Sequence, residues 1–243
     1  EGITAAEAGD YRVKISNSLG EIISESAVVE VLLPPSFAGY PVSMDVVEGS
    51  PFSIELVTTG TPEIEFQWYL NNEVLVGENK SSIGKADAAL GDGGLYMLKA
   101  KNIAGEIESQ LIKLTVYKPV SIAQGLKDLD AVAGNPVTLS IVAEGTGPFE
   151  YQWYKDNVII EEATLSVIEF TDVKTSDSGN YRVEVGNKLT QASSSGTLVV
   201  KVGPVITYQP ESQRLNLGQE AVLSVAATGS EPLTYQWTRN GEV

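Results

Sequence analysis

The 243-residue sequence contains no cysteine and no histidine. Without them there is no disulfide, thiolate nucleophile, Cys/His zinc site, haem ligation by histidine, or Ser-His or Cys-His catalytic arrangement. Basic residues are scarce: 16 Lys and Arg stand against 32 Asp and Glu, for a net charge of −16. A protein that grips nucleic acid through its phosphates needs a basic face, and this composition argues against one. No run approaches the ~18 consecutive apolar residues of a spanning helix, so no membrane insertion is expected. Hydrophobic residues nevertheless make up 42% of the chain, enough for packed cores.

What is present is an internal repeat. Trp68, Trp153 and Trp237 are spaced by 85 and 84 residues, and each sits in a Phe/Tyr-Gln-Trp string. Tyr11, Tyr96 and Tyr181 follow at intervals of 85, as do Asn17, Asn102 and Asn187. Gly49, Gly134 and Gly218 keep the same spacing to within one residue. Pro34-Pro35, Lys118-Pro119 and Gly203-Pro204 each separate two alternating apolar segments. The period therefore divides the chain into two complete units, 34–118 and 119–202, flanked by the back part of a unit (1–33) and the front part of another (203–243). Net charges of −4, −5, −5 and −2 along these segments make the acidity a general surface property.

Within 119–202, Val137, Leu139 and Ile141 alternate with hydroxyl residues, the period of two of a half-buried strand. Tyr151 and Trp153 lead into a strand pair around Asp156-Asn157, and Ile168, Phe170 and Val173 form a further apolar run. Tyr181, Val183 and Val185 point inward, with Arg182 and Glu184 outward; Gly186-Asn187 opens a turn, and 197–202 makes the last strand. Short strands between turn residues, with no helical periodicity, indicate an all-β sandwich or barrel. In 34–118 the same pattern weakens at 81–90, where Lys85 stands in the place of Phe170, so an irregular or edge segment is expected there.

These features resemble the immunoglobulin superfamily. Its sandwich places a Trp in the core and a tyrosine at the corner between the sheets, whose hydroxyl bonds back to upstream backbone. The corner motif reads Asp177-Ser178-Gly179-Asn180-Tyr181 and Asp92-Gly93-Gly94-Leu95-Tyr96, and Glu7 replaces the aspartate before Tyr11. The resemblance implies tandem immunoglobulin-like sandwiches over essentially the whole chain, with Trp68, Trp153, Trp237, Tyr11, Tyr96 and Tyr181 in the core. The family's bridging cysteines fall twelve residues before the Trp and two after the Tyr. Leu56 and Leu98, and Ile141 and Val183, occupy those positions here and are expected to face one another in place of a disulfide. Cysteine-free repeats with a Y-Q-W-x-x-N phrase are similar to the tandem immunoglobulin-like repeats of large bacterial secreted and surface proteins; animal muscle and adhesion chains rank second.

Other chemistry finds little support. The acid pairs Glu161-Glu162 and Asp128/Asp130 lack a second motif to build a cleft, so no catalytic residues are assigned and the chain is read as no enzyme. Asp128, Asp130, Asp172 and Asp177 offer hard oxygen ligands near one end of a unit, but without calcium-loop spacing; no metal or cofactor is expected. Asn79-Lys80-Ser81 is a glycosylation sequon. The leading expectation is a structural segment of an extracellular or cell-surface filament, stalk or spacer. Its partners would be neighbouring copies or repeats of the same protein, head to tail. The partial units at the ends fit either an excerpt from a longer array or completion by another copy. The alternative is an adhesin whose loops hold a protein or glycan ligand.

Overall fold

The computed structural model describes residues 2–242. The chain forms two compact units, 1–118 and 119–243.

In the first unit, the opening segment contains β1 (Gly9–Tyr11), β2 (Lys14–Asn17), β3 (Gly20–Ile23) and β4 (Ala27–Val29). β1 pairs with β4 and β2 with β3, both antiparallel. A sandwich follows, built from β5 (Ser36–Ala38), β6 (Ser43–Val47), β7 (Phe52–Glu55), β8 (Val57–Thr59), β9 (Glu65–Leu70), β10 (Glu73–Val74), β11 (Ser82–Lys85), β12 (Gly94–Asn102), β13 (Gly105–Glu108) and β14 (Ile112–Tyr117). One layer has the order β10-β9-β12-β14-β6, with β13 also on β12. The facing layer consists of β5 on β8 and β7 on β11.

The second unit repeats the plan with β15 (Ser121–Gln124), β16 (Leu129–Val132), β17 (Val137–Ser140), β18 (Val142–Glu144), β19 (Glu150–Lys155), β20 (Val158–Ile159), β21 (Val167–Phe170), β22 (Gly179–Gly186) and β23 (Gln191–Lys201). Here the first layer is β16-β23-β22-β19-β20, opposed by β15 on β18 and β17 on β21. A final hairpin joins β24 (Val205–Tyr208) to β25 (Ala226–Thr228).

The period-two patterns account for the layers. On β12, burial alternates so that Tyr96, Leu98 and Ala100 face the core and Leu95, Met97, Lys99 and Lys101 face out. Each sandwich closes on its tryptophan. Trp68 and Trp153 are 0% exposed, and their indole N–H groups donate to Lys80 O (2.9 Å) and Leu165 O (2.7 Å). A buried indole needs that acceptor, because an unpaired polar group in the core costs about 1–3 kcal/mol. Leu56 and Leu98 lie in the first core, and Ile141 and Val183 in the second, each at most 4% exposed. The turns after the Trp strands carry left-handed backbone at both central residues: Asn71-Asn72, Asp156-Asn157 and Asn240-Gly241. That geometry suits the twist of a two-residue hairpin and explains the Asn and Asp found there.

Two expectations need correction. Tyr11 and Trp237 are not core residues here: they are 52% and 47% exposed. They lie in the segments 2–33 and 203–242, where no opposing sheet covers them among the described residues. The stretch 81–90 is an edge segment, one of the two forms expected of it: β11 has β7 as its single strand partner. β11 pairs with β7 from Ser82↔Glu55 to Lys85↔Phe52, matching β21 on β17. Lys85 is accommodated because Asp92 lies within reach of its ammonium.

Candidate functional site

Three features of each sandwich bear on function: the corner that joins its layers, the strands through which the chain enters and leaves, and the outward face of the larger layer.

At the corner, Tyr96 OH donates to Asp92 O (2.9 Å) and Tyr181 OH to Asp177 O (2.8 Å). Tyr11 makes the same bond to Glu7 O (2.8 Å) although its ring is exposed. Burial, reinforced by the nearby carboxylates, pushes the phenols of Tyr96 and Tyr181 up to about 12. The two corners differ in their supporting cast. Asp92 is buried, accepts from Ala89 N–H (2.9 Å) and pairs with Lys85. Burial works to raise its pKa, but the Lys85 and Ala89 hydrogen bonds and the Lys85 charge more than offset this and hold it below the usual carboxylate value. Asp177 accepts from Lys174 N–H (2.7 Å) on the surface, and Phe170 packs edge-on to Tyr181 with centroids 6.0 Å apart.

The entry and exit strands pair in parallel. β6 lies along β14 from Ser43↔Lys113 to Val47↔Tyr117, and β16 along β23 from Leu129↔Leu198 to Val132↔Lys201. In the second unit Asp128 adds an acceptor for Thr197 N–H (2.8 Å), and Asp130 pairs with Lys201. Gly196 is required by this crossing, since a Cβ there would sit 2.8 Å from Lys127 O. The carboxylates of Asp128, Asp130 and Asp177 thus serve backbone or lysine partners. Among the described residues, no three His, Cys, Asp or Glu side chains gather as a metal site.

The chain is also gripped just before a sandwich begins. Leu33 N–H donates to Thr61 Oγ1 (2.8 Å), and Thr61 N–H returns to Leu33 O (3.0 Å). Asn102 is buried between them, its amide donating to Leu33 O (2.7 Å) and Thr61 O (2.8 Å) while its oxygen accepts from Ala104 and Gly105. Val202 and Ser230 exchange the same pair of bonds. Asn187 bonds Thr146 O (2.9 Å) as Asn102 bonds Thr61 O.

Further residues with a structural role went unassigned at the sequence level, although they share the 85-residue rhythm. The glutamine before each buried Trp donates its amide to Leu75 O or Ile160 O, tying the next loop to the strand. Ser24 and Ser109 accept Val13 and Leu98 N–H where the last strand is interrupted. Their counterpart Ser194 accepts Leu126 N–H instead. Recurrence at the same spacing was the signal that could have found them.

The charged residues of the outward faces pair in different ways. In the first unit Lys99 pairs with Glu106 and Glu108, which raises its pKa. In the second unit Arg182 lies over the Tyr154 ring (4.0 Å to the centroid) and pairs with Glu184, while Tyr154 OH donates to Glu184 (3.0 Å). These two hydrogen bonds, Arg182's first, hold the Glu184 carboxyl below its usual range.

Comparison with known proteins decides the family. An immunoglobulin I-set domain model matches residues 35–116, and an immunoglobulin domain model matches 118–187.

Residues 35–116 and 118–187 of the chain are immunoglobulin domains.

Its immunoglobulin domains are similar to part of the muscle M-line assembly protein unc-89 of Caenorhabditis elegans, with 27% identity over 97% of this chain and 3% of that protein. They are 34% identical to part of the human cell adhesion molecule DSCAM, over 56% of this chain and 7% of that protein. A solved I-band fragment of titin, I67–I69, superposes with a TM-score of 0.69 at 26% identity, covering 83% of this chain and 78% of the fragment. The chain thus spans only 3% and 7% of the length of the two curated relatives. These relatives are animal proteins, which corrects the bacterial kinship inferred from the missing cysteines. The physical reason is general: a buried aliphatic pair can stand where a disulfide would, in an immunoglobulin domain of any origin. Among the described residues, no helix is long and apolar enough to cross a membrane.

Proposed function

We propose that this segment is a tension-bearing structural spacer built from tandem immunoglobulin domains, with 34–118 and 119–202 as its complete repeats. The observation that carries the reading is the parallel pairing of entry and exit strands in both sandwiches. Force applied through the chain ends of a domain runs along these strands in opposite directions. It therefore loads all the backbone pairs of the ladder in shear at once, instead of opening them one by one. The hydrogen-bonded joints at Leu33 and Val202 support the reading, because they limit slack between consecutive repeats. Repeats of the same protein would be its neighbours, head to tail. A place in an extracellular or cell-surface filament or stalk, or in a muscle assembly, is compatible with that design.

Single-molecule extension of the whole chain, held at both ends, tests the proposal. Two abrupt events are expected, each lengthening the chain by about 220–250 Å, the span of some 80 extended residues less the folded domain. Gradual extension without such events would overturn the reading. A second reading, a binding module of an adhesion protein, is favoured by the Tyr154–Arg182–Glu184 cluster, since Tyr and Arg are enriched where binding energy concentrates. Capture of candidate proteins and glycans on beads carrying the chain, and its loss with Arg182→Ala, would support it.

A further inference from the structure

We infer that the outward face of the first complete domain is a self-association surface, and that a second copy of this chain is its partner. The face is crossed at right angles to the strands by a stripe of apolar side chains. Val74 on β10 pairs with Tyr69 on β9, and Tyr69 pairs with Met97 on β12. Leu111, just before β14, continues the row, since the next residue, Ile112, lies opposite Tyr96. All four belong to the outward set: their chain neighbours Trp68, Tyr96, Leu98 and Ile112 are buried, and Val74 and Leu111 are about half exposed. Leu95 widens the stripe on one side. The corresponding row of the second domain is different. Its centre is Arg182, lying over Tyr154, with Ser195 beyond. The apolar stripe is therefore a property of this one domain and not a requirement of the fold.

Charge placement selects the partner. One step above the stripe along the last strand lies Glu108, opposite Lys99, whose single ammonium serves Glu106 at 3.1 Å and reaches Glu108 only at 3.7 Å; one step below lies Lys113, opposite Leu95. A two-fold axis along the stripe lays one face on another, keeps each strand over its own counterpart and reverses its direction. Apolar row then meets apolar row, and Glu108 of each copy meets Lys113 of the other, so the contact closes as a symmetric dimer. A two-fold along the strands would instead set Lys99 over Lys99 and Glu65 over Glu106, both repulsive. The face spans five strands at about 4.8 Å by roughly 20 Å of strand, about 500 Å² per copy. Two such faces give about 1,000 Å², the low end for specific association, so the dimer is weak and reversible.

Sedimentation of the whole 243-residue chain between about 5 and 500 µM tests this, the range in which interfaces of this size dissociate. The wild type is expected to show a monomer–dimer equilibrium. Glu108→Lys and Lys113→Glu should each weaken it about tenfold, because each turns two attractions into two repulsions. The double swap E108K/K113E should restore it to within about threefold. Both positions are exposed, and unchanged circular dichroism would show that the variants fold. A chain that stays monomeric throughout would overturn the inference. So would association indifferent to both single swaps, which would place the contact elsewhere, as at the exposed Tyr11 or Trp237 segments.

Discussion

The two complete domains solve the same corner with different chemistry. In the first, Lys85 reaches a buried Asp92; in the second, the equivalent position is Phe170, which packs on the corner tyrosine, and Asp177 is only partly buried. Both leave the Tyr hydroxyl bonded to the carbonyl four residues upstream. What the repeat preserves is therefore a backbone geometry, while the side chains that support it exchange an ion pair for an aromatic contact. The last strand shows a similar freedom. It is interrupted at Ser109 in the first domain and runs unbroken over eleven residues in the second.

This comparison can be broken most severely at the shared core. Trp68→Ala and Trp153→Ala should each cost about 3–5 kcal/mol in their own domain, seen by calorimetry as one lowered transition in each variant. Equal losses would show that the corner chemistry does not alter the central packing. Leu98→Ala should cost about 2–5 kcal/mol, read from denaturant unfolding. A loss below about 0.5 kcal/mol would mean that Leu98 does not replace the family's cysteine as a packing element.

Smaller changes sharpen the difference between the corners. Lys85→Ala leaves the buried Asp92 carboxylate without its cation and should destabilise the first domain by about 1–2 kcal/mol, discounted because the lysine is more than half exposed. Tyr96→Phe and Tyr181→Phe should cost about 1 kcal/mol each, one buried hydrogen bond, and by similar amounts. If only one of them mattered, the corners would not be equivalent.

Acidity separates the two corners without mutation, although Glu184 on the outer face of the second domain is also held below its usual range. Asp92 has a depressed pKa in the folded state, so its stabilising effect is present above its unfolded value near 4 and is lost as pH falls through the lowered folded value. The first domain should gain this acid sensitivity from its corner, whereas Phe170 does not titrate; thermal melts at descending pH, with and without Lys85→Ala, would measure it. At the alkaline end the two should behave alike. The phenols of Tyr96 and Tyr181 are raised to about 12, so their contribution holds below pH 10 and fades as pH rises from there through the folded value.

The repeat, the strand alternation and the corner motif were legible because each depends on spacing along one chain. Val183 and Leu98 could be placed inward by counting from the tyrosine, and the Asp156-Asn157 turn by its residue types. Lys85 marked an edge strand by interrupting the apolar pattern, but what holds it was not legible: its partner Asp92 lies seven residues away, across the turn between the layers. The roles of Gln67, Thr61 and Asn102 were hidden for a related reason. Their partners are backbone amides and carbonyls of residues up to 69 positions distant, and a backbone group leaves no mark in a sequence.

By itself, then, the sequence determined the period, the all-β class and the identity of the buried tryptophans and tyrosines, since hydrophobic alternation and turn chemistry act between near neighbours. Only the tertiary structure decided that the entry and exit strands run parallel and that an apolar row crosses one face of the first domain. Those properties arise when strands distant in the chain are laid side by side, and a side chain is buried only where another layer is present to cover it.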